Sequence, residues 1–330
     1  MCQTIHDEMS CNINKEKICN NVAQIRIIAE QLFPIDNIIA LKKSRYGLEA
    51  KTFELKTTRE EFVLKCYPAS RISDVQNETH IIEYLNANGI PPFLVKSRDG
   101  NRYAISRYGI FVLLKRIKGV HQKRIKNQKQ AKAFGMELGR IHNILSGLSS
   151  DKSIPDVKCI DYILGVKNQL KQCDRWKGST CAREFIQTVE SVNWLSFSKK
   201  WYTKGVIHSD ITIDNLIFNN DAIYVIDYGD AGVGWLLMDL SISIISLAII
   251  DKKFVDEIFR QILLGYRATS MLNDHEYKDL GEFIKLGCLR KWSAYFDYLQ
   301  NRNTVIKKYD IYLNAINLLP SIDKKIRGCL

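Results

Sequence analysis

Asp210, Asn215 and Asp227 are three oxygen-bearing side chains in one short stretch, read as V-I-H-S-D-I-T-I-D-N-L-I-F, a break at Asn219-Asn220-Asp221, then I-Y-V-I-D-Y-G-D. A carboxylate and an amide oxygen are hard donors that suit Mg²⁺, which prefers oxygen and keeps part of its water shell beside phosphates. Asp227 and Asn215 supply that pair. Asp210, five residues before Asn215, is left to face an acceptor hydroxyl and take its proton. Phosphoryl transfer needs this set, because the protein has little covalent work and must position two reactants and neutralise phosphate charge. His208 is assigned to holding the loop by hydrogen bonding rather than to the chemistry.

The surrounding residues predict the elements that would position these groups. Gly205-Val206-Ile207 leads into the loop, and Leu216-Ile217-Phe218 and Ile223-Tyr224-Val225-Ile226 are short β-prone runs separated by turn residues. A hairpin is expected with Asn215 at one end and Asp227 at the other.

His208-Ser209-Asp210 to Asn215, followed by Asp227-Tyr228-Gly229-Asp230 and Met238-Asp239-Leu240, resembles the aminoglycoside phosphotransferase and choline kinase superfamily of small-molecule kinases. The nearest flavour is that of the homoserine kinase and hydroxylysine kinase relatives, and the likeness covers roughly residues 35 to 305. It implies an α+β, bilobal, protein-kinase-like fold: a small lobe of antiparallel sheet plus helix and a larger, mainly helical lobe. The implied organisation is an extension over 1–20, a nucleotide-binding lobe over 21–114, a connector over 115–120 and a catalytic and acceptor-binding lobe over 121–330. The implied cofactors are ATP and Mg²⁺. The implied reaction moves the γ-phosphoryl group to a hydroxyl of an amino alcohol, a hydroxylated amino acid or an aminoglycoside-like antibiotic, the last linking the chain to antibiotic resistance.

A lobe of this kind needs a strand Lys for the α/β-phosphates, a helix Glu to hold it and a loop over the phosphates. Lys65 lies in the alternating run Glu61 to Tyr67, and Glu78, thirteen residues on, opens a helical pattern that stops at Asn88-Gly89. The segment Lys43 to Phe53 has one glycine rather than G-x-G-x-x-G, and Ser44 and Gly47 are its candidates for backbone contact with phosphate. Phe111 to Val120 reads as a strand running into the connector. By resemblance, the adenine would meet main chain at Lys115 and Ile117, with Leu114 and Ile117 packed near the ring. Gln130 to His142 shows helical spacing and resembles the first large-lobe helix, with His142 a packed helix-end residue.

Two other readings belong to different classes. A protein kinase would carry a long activation segment ending in A-P-E after the metal aspartate, whereas Asp239 and the apolar run Leu240 to Ile250 follow Asp227 closely, and Ser209 stands where H-R-D has Arg. A kinase-fold structural protein with catalysis lost, like spore-coat relatives of the superfamily, is opposed by the intact set Lys65, Asp210, Asn215 and Asp227.

The acceptor residues are the least determined. Asp230, Trp235 and Asp239, and the helix Leu289 to Tyr298 with Trp292, place aromatics near carboxylates, an arrangement that can hold an ammonium group. Each also reads as structural, Asp239 as a cap and Trp292 as core.

Composition is compatible with this picture. Nine cysteines without a C-x-x-C pair indicate neither a disulfide framework nor a zinc site, and reduced thiols in a cytoplasmic protein are the simplest account. The start has no apolar core and the longest apolar run is short of a bilayer span, so neither a signal peptide nor a membrane partner is expected. The net charge is +12, and a basic cluster runs from Lys115 to Lys132. That cluster lacks interleaved aromatics for stacking on bases, so nucleic acid is not the expected partner. A small hydroxyl-bearing molecule is, and oligomeric state is left open.

Overall fold

Strand pleating puts successive side chains on opposite faces, and Glu61 to Tyr67 uses both. The computed structural model describes residues 22–44, 50–173, 179–192, 194, 197, 201–250 and 253–300. Six strands form one antiparallel sheet: β1 (Ile38–Lys43), β2 (Lys51–Thr57), β3 (Glu61–Tyr67), β4 (Leu94–Val95), β5 (Ala104–Ser106) and β6 (Gly109–Lys115). Their order is β1-β2-β3-β6-β4, with β5 paired to β6. From β3, Phe62, Leu64 and Cys66 join Phe53, Leu55, Phe111 and Leu113 in a core closed by Ile25, Ile28 and Ala29 of helix α1 (Val22–Leu32). Each such large apolar side chain contributes about 1.5–3 kcal/mol of burial.

Lys65 and Tyr67 point to the other face, where helix α2 (Ile72–Ala87) buries Val75, Ile81, Ile82 and Leu85. This helix starts earlier than the sequence pattern indicated, at Ile72 rather than Glu78, after Pro68 and a single 3₁₀ turn over Ala69–Arg71. Glu78 therefore sits inside the helix, where it is buried. The helix stops where expected. Gly89 takes φ 73°, a left-handed conformation that suits glycine just beyond a helix end.

The chain divides into two compact units, with the break between Lys118 and Gly119 and with Val225–Asp230 belonging to the first. The second unit is mainly helical: α3 (Gln128–Leu145), α4 (Cys159–Gln172), α5 (Thr180–Ser191), α6 (Leu236–Ala248), α7 (Asp256–Thr269), the short α8 (Asp274–Tyr277) and α9 (Leu280–Gln300). Asn127 caps α3 by accepting from Gln130 N at 2.9 Å. Helices α3 and α7 cross closely because Gly135 lies against the Ile262 carbonyl and Gly265 against that of Lys132. Helix α6 is buried on nearly every side.

Two small sheets carry the loops of interest. β7 (Lys204–Ile207) pairs antiparallel with β10 (Gly232–Trp235), Ile207 facing Gly232. β8 (Leu216–Asn219) and β9 (Ala222–Val225) form the hairpin expected from the sequence. Asn220 makes its turn with φ 53°, a conformation Asn tolerates. A short strand pair, β11 (Ile249–Ile250) and β12 (Lys253–Phe254), follows α6.

Candidate active site

In the first unit, Lys65 is 8 % exposed and its ammonium must be paired to be tolerated there. Its Nζ donates to Glu78 Oε1 at 2.6 Å and to Asp227 Oδ1 at 2.8 Å. The second Glu78 oxygen accepts from Tyr67 Oη at 2.6 Å. Burial works against the charge on Lys65, yet Asp227 and Glu78 outweigh it and raise the Lys65 pKa well above the usual lysine value. The ammonium thus stays charged at any physiological pH. Asp227 is held at φ 71°. A left-handed backbone at a non-glycine residue costs about 1 kcal/mol or more and is a mark of functional loops.

The neighbouring parts of this unit are partly committed. Ser44 N donates to Thr52 O at 2.8 Å, so its amide belongs to the β1–β2 hairpin. That amide is engaged within the hairpin, where the sequence expected it to face phosphate. Gly47 and the extension over 1–20 lie outside the described residues. β6 ends at Lys115. Lys115 N donates to Phe93 O at 2.7 Å and Arg116 N to Glu61 O at 2.9 Å. An adenine contact at Lys115 must therefore use its carbonyl. Leu114 is 6 % exposed and Ile117 half-buried. Lys115 and Arg116, from the basic cluster, pair with Glu60 and Glu61.

In the second unit the His208-Ser209-Asp210 loop leaves β7 and is gripped by Asp239. This carboxylate is fully buried in the first turn of α6. It accepts from His208 N at 2.5 Å and Ser209 N at 2.7 Å. His142 Nε2 lies 3.1 Å from its Oδ2, and since a carboxylate only accepts, that nitrogen carries the proton. His142 Nδ1 is 2.7 Å from Tyr266 Oη, which ties α3 and α7 to the loop. Burial pushes the Asp239 carboxyl upward, but the hydrogen bond and charge of His142, with those of His208, hold it below the ordinary carboxylate range. Ser209 has φ 67°, a second strained residue in the motif. His208 Nδ1 accepts from Asp210 N at 3.3 Å, a loop-supporting contact.

Asp210 itself, with its side chain 38 % exposed, is approached from two sides. Asn215 Nδ2 donates to Asp210 O at 2.8 Å and to Oδ2 at 3.1 Å. Both contacts are made by the Asn215 amide nitrogen, and its oxygen takes no part in them. Oδ1 is paired with Lys291 Nζ, from α9.

A family model described as the phosphotransferase enzyme family matches residues 42–274, which is more than half of the chain. The chain belongs to that family. Comparison with curated proteins gives no match. Among solved structures, amicoumacin kinase hAmiN in complex with AMP-PNP, Ca²⁺ and Ami is similar with TM-score 0.69 and 16% identity, over 98% of this chain and 96% of that one. Choline kinase LicA from Streptococcus pneumoniae gives 0.65 and 13%, over 91% and 99%. The microcompartment-associated aminopropanol kinase gives 0.65 and 14%, over 93% and 98%. At such identities the likeness is one of fold, and it agrees with the α+β kinase-like class. Members of the phosphotransferase enzyme family act on hydroxyl groups of small molecules, so this chain is an enzyme of that type.

The acceptor candidates fare differently from one another. Trp292 is 1 % exposed and stacks on Phe185 with centroids 4.1 Å apart and on Phe296 at 5.7 Å. Its indole belongs to the core of this phosphotransferase, not to an acceptor pocket. Asp239 likewise serves the loop. Trp235 sits half-buried in an aromatic cluster with Phe197, Tyr202 and Phe283, with Lys204 Nζ 5.9 Å above its ring. Asp230 is exposed in a turn of the first unit.

Sequence reasoning missed Tyr67, although its i+2 relation to Lys65 on one strand face was a usable signal. It also missed Lys291. Nothing local distinguishes that residue from a solvated helix lysine. Among the described residues no group of three or more His, Cys, Asp or Glu side chains could hold a metal, and no helix is long and apolar enough to cross a membrane.

Proposed function

We propose that this phosphotransferase moves the γ-phosphoryl group of ATP to a hydroxyl of a small molecule, an amino alcohol, hydroxylated amino acid or aminoglycoside-like antibiotic, with Asp210 as the base. The observation that carries the reading is the chain of contacts Tyr67–Glu78–Lys65–Asp227 in the first unit. A buried ammonium locked between two carboxylates is a costly arrangement for stability alone, and it suits a residue that must present a fixed charge to phosphate oxygens.

The residues present also fit Mg²⁺. Asn215 and Asp227 are the proposed donors, since an amide oxygen and a carboxylate are hard ligands of the type this ion takes alongside phosphate oxygens. When bound, the ion would neutralise charge on the transferring group. The chain's own contribution is positional. Asp239 and His208 set the loop backbone, and Asn215 orients the Asp210 carboxylate. Asp210 then accepts the acceptor's hydroxyl proton as the oxygen bonds to phosphorus. Leu114, Lys115 and Ile117 are the proposed adenine contacts, and Ser44 stays a proposed residue of the phosphate loop. The acceptor side retains Trp235 and Asp230 as candidates. α6 begins at Leu236, soon after Asp227, which leaves no platform for a peptide substrate and favours a small acceptor.

Purified protein is expected to bind Mg-ATP in calorimetry, and Asp210→Asn to abolish ADP release while binding nucleotide almost as wild type does. Wild type that fails to bind nucleotide with Mg²⁺ present would overturn the proposal.

A further inference from the structure

Among the described residues of the second unit, Lys291 is the buried member of the lysines and arginines. It lies on α9 beside the core residue Trp292 and is 8 % exposed, yet its partner Asp210 has a side chain 38 % exposed. The pair is therefore one-sided. The carboxylate is partly open to solvent, while the lysine that pairs with it is buried. Lysines are seldom buried unless the burial serves a partner.

An acceptor hydroxyl must come within hydrogen-bond reach of an Asp210 carboxylate oxygen to be deprotonated. One of those oxygens already carries Asn215 Nδ2 and the other carries Lys291 Nζ. Any acceptor delivering its hydroxyl there thus brings its neighbouring substituents beside the Lys291 ammonium. An ammonium has three N–H donors, so those not given to Asp210 can be offered to the arriving molecule. A second ammonium at that place is repelled at close range in a medium that screens poorly. A carboxylate there is attracted and hydrogen bonded.

We infer that Lys291 is a specificity residue that selects acceptors carrying a carboxylate close to the reacting hydroxyl, which makes hydroxylated amino acids or hydroxy acids the substrate class and disfavours polycations. The inference rests on the reading of Asp210 as the base, and it narrows the three acceptor classes to one. Trp292, whose ring faces are covered by Phe185 and Phe296, offers no open aromatic face to an ammonium group. The net charge of +12 acts in the same direction, since a positive field draws anions toward the protein.

The test uses the full chain with serine, homoserine and threonine, their carboxamides, ethanolamine, 3-aminopropanol and kanamycin. Acceptor binding is read by calorimetry in the presence of a non-hydrolysable ATP analogue with Mg²⁺, and turnover by ADP release. At least one free carboxylate acceptor is expected to bind about 10- to 100-fold more tightly than its carboxamide, the range for one charge-assisted hydrogen bond. Lys291→Met should bring that ratio close to one, chiefly through KM, and Lys291→Arg should restore part of it. Because wild type alone yields the ratio, a poorly folding variant does not remove the test.

Preference of wild type for kanamycin or for the cationic amino alcohols ethanolamine and 3-aminopropanol would overturn the inference. An unchanged ratio in Lys291→Met with kcat lowered equally for every acceptor would also overturn it, and would assign the lysine to the phosphoryl group instead. Lys291-dependent binding of the carboxylates without any ADP release would support the recognition and refute the kinase reading.

Discussion

Tyr67 Oη donates to Glu78 Oε2 at 2.6 Å, on the carboxylate oxygen that Lys65 leaves unused. Glu78 is 1 % exposed, so deleting the hydroxyl leaves a buried acceptor unsatisfied, which costs about 1–3 kcal/mol. Tyr67→Phe should lower the unfolding free energy by that amount, read as an earlier denaturation midpoint. It should also raise KM for ATP several-fold while changing kcat less, because the carboxylate that orients Lys65 loses its second anchor. Unchanged stability and unchanged KM would show the contact to be dispensable.

Asp239 gathers His142, His208 and Ser209 on one buried carboxylate. Replacing it by Asn removes the charge that those donors were arranged around, and breaking a buried network of this kind costs about 3–5 kcal/mol. Asp239→Asn should melt well below wild type and lose activity through a misplaced Asp210.

The same carboxyl gives a pH signature. Its pKa is held below the ordinary value, which for an unfolded Asp is about 3.9. Folded-state pKa below unfolded means that the stabilisation is complete above the unfolded value and is lost as pH falls through the folded one. Wild type should therefore lose stability steeply below about pH 4, with a shallower limb in Asp239→Asn. Parallel limbs for the two proteins in acid denaturation would contradict this.

Ser209 occupies the left-handed region at φ 67°, where glycine has no Cβ penalty. Ser209→Gly should stabilise by at most about 1 kcal/mol, because relief of the left-handed backbone is offset by glycine's larger entropy loss on folding, with the Asp239 contact to its backbone amide retained. A fall in melting temperature of several degrees would show instead that the hydroxyl holds the loop.

Two glycines in helices should respond in opposite directions. A Cβ on Gly265 would overlap the Lys132 carbonyl across the α3–α7 crossing, whereas one on Gly165 in α4 would meet nothing within 4 Å. Gly265→Ala should cost about 1–3 kcal/mol through overpacking. Gly165→Ala should gain about 0.5–1 kcal/mol from helix propensity. Equal effects in thermal melts would refute the close helix crossing.

Local spacing alone determined the strand with Lys65, the hairpin from Leu216 to Val225, the helix carrying Glu78 and the loop from His208 to Asn215. These depend on pleat, turn chemistry and helical period, all of which act over a few residues. The family followed from the same short motifs. The tertiary structure decided which long-range partners those groups have. His142 reaches Asp239 across 97 positions and Lys291 reaches Asp210 across 81, separations that no local pattern records. It also sent Trp292 into the core and its neighbour Lys291 to Asp210. Adjacent helix residues point about 100° apart, so a helical spacing fixes which residues share a face but not which face the rest of the fold covers.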